Sequence, residues 1–183
     1  MILLIFTPYK TMRKISREKD FSQIVILLGL IFVYFQLSHY YRKEDFSGLI
    51  VYLIFLFGLF STTGFFYFIA RVFRQKTTFL SFLFCFTYSM VPTLIWFMSN
   101  FILYLVLPPP RTMSILGKGF SIFFTAYSLS LLLWKVILFF LSVRFSSRLP
   151  FFKILYMIFL YLCWFVPYSI VLYQLKIFRV PFI

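Results

Sequence analysis

Carboxylates are the scarcest functional group in this chain. Only Glu18, Asp20, Glu44 and Asp45 carry one, and none follows Asp45. Histidine occurs once, as His39. These shortages exclude most enzyme chemistry. Hydrolysis needs a positioned base, a nucleophile with a partner, or a metal. No catalytic triad, carboxylate pair or metal cluster can be assembled from such an inventory, and a lone histidine without a second ligand is no metal site. A Gly-rich phosphate loop is also missing. Proton-coupled transport employs buried Asp, Glu or His, and only His39, at the interfacial edge of an apolar run, comes near. Cys85 and Cys163 each lie inside an apolar run and read as small buried hydrophobes rather than a disulfide. The sequence therefore predicts no cofactor, no metal and no enzymatic activity.

What the chain does have is apolar side chain. Of its 183 residues 63% are hydrophobic and 12% are charged, with 30 phenylalanines. A single domain of that length has too little interior to hide so much apolar surface from water, so the solvent is lipid. The net charge of +14 would suggest nucleic acid in a soluble protein. Here the basic residues gather in short segments between apolar runs, the pattern that orients a membrane protein, and no nucleic-acid partner is expected.

The runs predict an all-α, multi-pass transmembrane bundle of five helices with a short amphipathic N-terminal segment. Residues 1–20 form the basic segment. The spans fall at about 21–41, 46–70, 79–107, 120–143 and 151–175, with 176–183 as a short tail. The bundle is read as built around the third span, with two spans on either side. That run has 29 residues without an acidic, basic or histidine side chain. Fully helical, it would reach about 43 Å against a hydrocarbon core of about 30 Å. It must tilt, kink or run into the headgroup layer. Pro92, which lacks a backbone donor, is the candidate for a kink, and Ser89 and Thr93 stand beside it to satisfy freed carbonyls. Cys85, Ser89, Pro92 and Ser99 share a helical stripe predicted to face inward.

The N-terminal segment turns basic at Lys10, Arg13, Lys14, Arg17 and Lys19, after an apolar start. A secretory signal has the reverse order, so no cleavage is expected. Ile2, Phe6, Tyr9 and Arg13 recur at helical spacing, interrupted by Pro8. The expectation is a short helix on the membrane surface with its basic side towards anionic headgroups. The alternative is an unstructured tail. In the second span Gly58, Ser61, Thr62, Thr63 and Gly64 predict close helix packing. A connector is expected from Pro108 to Gly119, with Pro108, Pro109 and Pro110 forcing an extended start and Gly117 and Gly119 allowing sharp re-entry. Pro167 is expected to break the fifth span.

Lys135 is the one charge inside a span. It shares a helical stripe with Ser121, Thr125, Ser128 and Ser142. An intramembrane charge is a functional-site hypothesis by default. The alternative is snorkelling over the eight residues to the expected helix end, roughly 12 Å. With no carboxylate to pair with, its ammonium is predicted to face Ser89 and the carbonyls near Pro92, or to hold an anion such as a lipid phosphate. Lys135, Ser128, Ser89 and Pro92 are thus the candidate functional or packing residues.

Eleven basic residues fall in the N-terminal segment and in the connections after spans two and four, and six in the opposite loops and tail. By the positive-inside rule the N-terminus is expected in the cytoplasm and the C-terminus outside. In a prokaryote the membrane would be the inner, or plasma, membrane.

The layout resembles the Yip1 family, most closely its prokaryotic members. The resemblance is carried by Thr7-Pro8-Tyr9-Lys10-Thr11-Met12-Arg13-Lys14-Ile15 ahead of span one. Tyr88-Ser89-Met90-Val91-Pro92 in span three and Trp134 in span four add to it, as does the Ser146-Ser147 turn before span five. It covers nearly the whole chain through loose motifs and implies the five-span fold. Eukaryotic relatives act in vesicle traffic and bind prenylated GTPases through a longer cytoplasmic N-terminal region. With about 20 residues ahead of its first span, this chain is not expected to share that binding. The expected function is a non-enzymatic membrane protein that organises lipid, including anionic headgroups, or membrane-protein partners, or that self-associates. The alternative is a passive transporter or channel component with a polar path lined by Lys135.

Overall fold

The computed structural model describes residues 7–16, 21–42, 46–106 and 115–177. Every regular element among them is α-helical: α1 (Pro8–Ile15), α2 (Phe21–Arg42), α3 (Gly48–Val72), α4 (Phe79–Ser89), α5 (Val91–Val106), α6 (Ile115–Ser147) and α7 (Phe151–Gln174). α4 and α5 together make one span, Phe79–Val106, and five helices are long and apolar enough to cross a membrane. The architecture is the all-α bundle that hydropathy predicts. Arg17, Lys19, the four acidic residues, Pro108, Pro109 and Pro110, and the end of the tail lie outside the described residues.

The third span is the most enclosed. Of its most apolar stretch 61% is buried inside the bundle, against 22–33% for the other four. It packs on α1, α2, α3 and α6 but not on α7, which is held by α3 and α6 alone. The expected arrangement of all spans around this one therefore holds for three neighbours and fails for the last. α3 and α6, rather than the third span, carry the fifth span.

Two apolar clusters fill the bundle. One joins Leu27, Ile31, Tyr34 and Phe35 of α2 to Phe55 of α3, Phe84 and Cys85 of α4, Phe97 of α5 and Leu138 of α6. The other joins Leu59 and Phe66 of α3 to Phe82 and Phe86 of α4, Val143 of α6 and Met157 and Tyr161 of α7. Lipid tails are as apolar as these side chains, so close packing rather than escape from water holds the helices together. Aromatic rings supply much of it. Tyr34 stacks on Phe97 at 4.3 Å. Phe66, fully buried, touches the rings of Phe86, Phe139 and Tyr161 at 5.1–5.5 Å. The outer faces are apolar as well, with Phe57, Phe68, Ile122 and Phe152 largely exposed. In water such a surface would aggregate; in a bilayer it is solvated.

Several boundaries depart from the expectations. Pro8 starts α1 instead of interrupting it, because the first helical position has no use for an N–H. Gly117 and Gly119 lie inside α6, which begins at Ile115 and extends to Ser147. A glycine costs a helix about 1 kcal/mol, too little to end one whose neighbours all favour it. Pro167 lies inside a continuous α7, since in a membrane one freed carbonyl is tolerated more readily than an open turn. Cys85 is buried, but Cys163 is exposed on the outer side of α7; both are free thiols. Gly58 and Gly64 face open space. The close approach is at Gly48, where an added Cβ would meet the Phe35 carbonyl oxygen at 2.6 Å.

Arg74, Arg148 and Lys176 all have positive φ, at 55–58°. Each follows a helix C-terminus, and their amides close the last turns: Arg74 N–H donates to Arg71, Arg148 N–H to Arg144 and Lys176 N–H to Tyr173. Glycine fills this position most easily. Here a cation does, and its charge complements the helix dipole.

Candidate functional site at the level of Lys135

Two members of the expected inward stripe of the third span, Cys85 and Ser99, meet α6. Ser142 Oγ, shared with the Leu138 carbonyl of its own helix, donates to the Cys85 carbonyl at 2.9 Å. Trp96 Nε1 donates to Ser128 Oγ at 3.0 Å, and the Ser99 and Tyr127 hydroxyls lie 2.8 Å apart. Lower in the bundle Ser146 Oγ donates to the Ser81 carbonyl at 3.1 Å. These contacts set an antiparallel register. Lys135 is seven residues from both Ser142 and Ser128, so it stands at the level midway between Cys85 and Trp96. That level holds Met90, where the third span changes helix.

At Met90 the α-helical ladder gives way to a tighter turn. Met90 N–H donates to the Thr87 carbonyl and Leu94 N–H returns to the Met90 carbonyl. Pro92 is thereby the second residue of α5 rather than an interior residue, and a first turn needs no N–H from it. Ser89 Oγ donates to the Phe86 carbonyl at 2.7 Å, so it serves its own helix and not Lys135. Thr93, buried, has a hydroxyl without a partner among the described residues.

Lys135 is half-buried, and no hydrogen bond, ion pair or ring contact of its side chain occurs among the described residues. α6 runs twelve residues beyond it, about 18 Å of helix. That is half as far again as the sequence suggested, but a helix of 33 residues is longer than the hydrocarbon core, so its end lies beyond the headgroup boundary that a snorkelling lysine would seek. The stripe around it is only partly inward. Ser128 and Ser142 face neighbours, whereas Thr125 is exposed and donates to the Ser121 carbonyl. Ser121, Ser128 and Ser142 also donate to carbonyls four residues back in α6. Such back-bonding satisfies a hydroxyl without water.

Other polar pairs were not anticipated. Tyr88 donates to Gln23 Oε1 at 2.6 Å, and Thr62 and Tyr161 hydroxyls meet at 2.8 Å between α3 and α7. Arg42 donates to the Asn100 carbonyl at 3.1 Å and lies over the Tyr104 ring. Gln23 was legible as a polar residue in an apolar run; its partner was not. His39 is half-buried near the end of α2, with Nδ1 unpaired among the described residues. Among the described residues no group of His, Cys, Asp or Glu is placed to hold a metal ion.

No protein-family model, curated protein or solved structure matches this chain.

Proposed function

We propose that this protein is a non-enzymatic integral membrane protein that organises membrane lipid or partner proteins, as a relative of the Yip1 family. One observation carries the reading. The polar groups between the helices are spent largely on one another and on helix carbonyls, as in the Ser142–Cys85, Trp96–Ser128 and Thr62–Tyr161 contacts. Polar groups used in this way knit a bundle together and leave few free to act on a substrate. The resemblance to the Yip1 family agrees with five spans and a short basic helix beside them, and it adds no mechanism.

A second reading is favoured by Lys135. A cation at the level of the Met90 break, half-buried and without a partner among the described residues, is the arrangement a passive anion path would use. Liposomes that contain the full chain and a halide-sensitive dye separate the two. The organising role expects no halide flux above empty liposomes and specific lipid or protein retained through mild-detergent purification. Flux that Lys135→Met abolishes would replace it with the transport role.

A further inference from the structure

The end of the bundle that gathers the N-terminal helix and the α6–α7 connection contains a cleft of about 460 Å³, lined by Arg13, Ser16, Arg144, Phe145, Arg148 and Leu149. We propose that this cleft binds a phosphate group at headgroup depth, that of an anionic lipid. The inference rests on the lipid-organising reading above and names its ligand.

Three arginines, Arg13 from the N-terminal helix and Arg144 and Arg148 from the end of α6, line this one cleft. Arg144 lies 6.0 Å over the Tyr9 ring, which ties it to the N-terminal helix. Guanidinium forks match phosphate oxygens in pairs. Nor are the arginines carried on a loose segment. α1 is docked by Met12, which is fully buried. Tyr9 meets the Phe145 ring edge-on at 4.9 Å, and Ser81 Oγ donates to the Ser16 carbonyl at 3.4 Å. Arg13 is thus held opposite Arg144 and Arg148 by packing.

Depth and polarity both point to lipid. The cleft lies at the end of α6, where a membrane-spanning helix emerges into the headgroup layer. Arg71 over Tyr67 and Lys153 over Phe73 mark the same end of the bundle with the cation–aromatic pairs usual at an interface. Leu149 is buried and Phe145 half-buried, giving the cationic rim an apolar floor. A lipid has a phosphate beside glycerol and acyl carbon and fits both parts; inorganic phosphate fits only the rim. Basic pockets between spanning helices recognise lipid headgroups in this way.

Arg148 gives the decisive variant, because its left-handed backbone (φ 55°) suits glycine better than arginine. The full chain in mild detergent is offered phosphatidic acid or phosphatidylcholine, and bound lipid is counted by native mass spectrometry. Phosphatidic acid is expected to be retained in preference. Arg148→Gly is expected to weaken that retention about fivefold without lowering the thermal midpoint, and Arg13→Gln with Arg144→Gln to abolish the preference. Arg74→Gly, which relieves the same backbone strain outside the cleft, should change neither lipid preference nor fold. Competition with inorganic phosphate assigns the source: lipid that resists it is the ligand, and lipid that it displaces gives the cleft to the free anion. Equal retention of the two lipids, or equal loss in Arg148→Gly and Arg74→Gly, overturns the inference but leaves the lipid-organising reading standing. That reading falls if the halide assay shows Lys135-dependent flux, or if neither specific lipid nor protein is retained through mild-detergent purification.

Discussion

Ser142 donates its hydroxyl to the carbonyl of Cys85 at 2.9 Å, and this bond, with that of Trp96 to Ser128, pins α6 against the third span. The carbonyl belongs to a regular helix and has its own backbone donor, so the contact is a second bond to an oxygen with two lone pairs. In a bilayer such interhelical bonds are worth about 0.6 kcal/mol on average. Ser142→Ala is therefore expected to lower stability by about that amount in detergent unfolding. Ser130→Ala, which removes an exposed hydroxyl bonded only to its own helix, should not. Equal effects would show that the Ser142 bond adds nothing to the register.

The same register places Lys135 mid-bundle. A central lysine costs about 2.5–3.5 kcal/mol on an insertion scale. With no partner among the described residues to offset that, Lys135→Met is expected to raise stability by about 2 kcal/mol, read as a higher thermal midpoint in detergent. A fall would show that the ammonium is held by a stabilising ligand, and would direct attention to a bound anion.

Two glycines are expected to respond in opposite directions. At Gly48 a Cβ would sit 2.6 Å from the Phe35 carbonyl oxygen, a backbone atom that cannot step aside. Gly48→Ala should therefore destabilise the α2–α3 pair. Nothing lies within 4 Å of a Cβ at Gly58, so Gly58→Ala should stabilise α3 by up to about 1 kcal/mol through helix propensity. The thermal midpoints of the two variants should bracket that of the parent protein, and a shift of the same sign in both would refute the contrast.

Phe66 is fully buried among four rings, while Phe57 on the same helix is 64% exposed. Phe66→Ala is expected to cost about 3–5 kcal/mol. Phe57→Ala removes contact with lipid, not with protein, and should cost little. Comparable losses would mean that the outer face is covered by another protein rather than by lipid.

Orientation is testable by labelling from outside intact cells. In a background without Cys85 and Cys163, Lys118→Cys near the start of α6 should react with an impermeant thiol reagent. Gln75→Cys, in the α3–α4 connection, should not. The reverse pattern would place the basic end of the bundle outside and remove the expected sidedness.

The hydropathy of the chain was enough to determine the class and the number of spans, because each span is a long run whose backbone must bond internally in lipid. Such runs are visible one at a time. The inward stripe of Cys85 and Ser99 was legible for the same reason: helical spacing is local. Which helix it would meet was not local, and only packing decided that α6 lies there, that Ser89 turns to Phe86 and that α7 never reaches the centre. Pro8, Pro92 and Pro167 show the limit from the other side. Each carries the same missing donor, yet one starts a helix, one follows a break at Met90 and one is absorbed inside α7. The cost of a lost backbone bond depends on what neighbours can supply, and that is set by tertiary contacts. The three arginines of the basic cleft were likewise visible only as charge near an interface. It took the docking of Met12 and Tyr9 against α6 to bring Arg13 opposite Arg144 and Arg148, because residues 131 and more apart in sequence share a site only when the fold closes the distance.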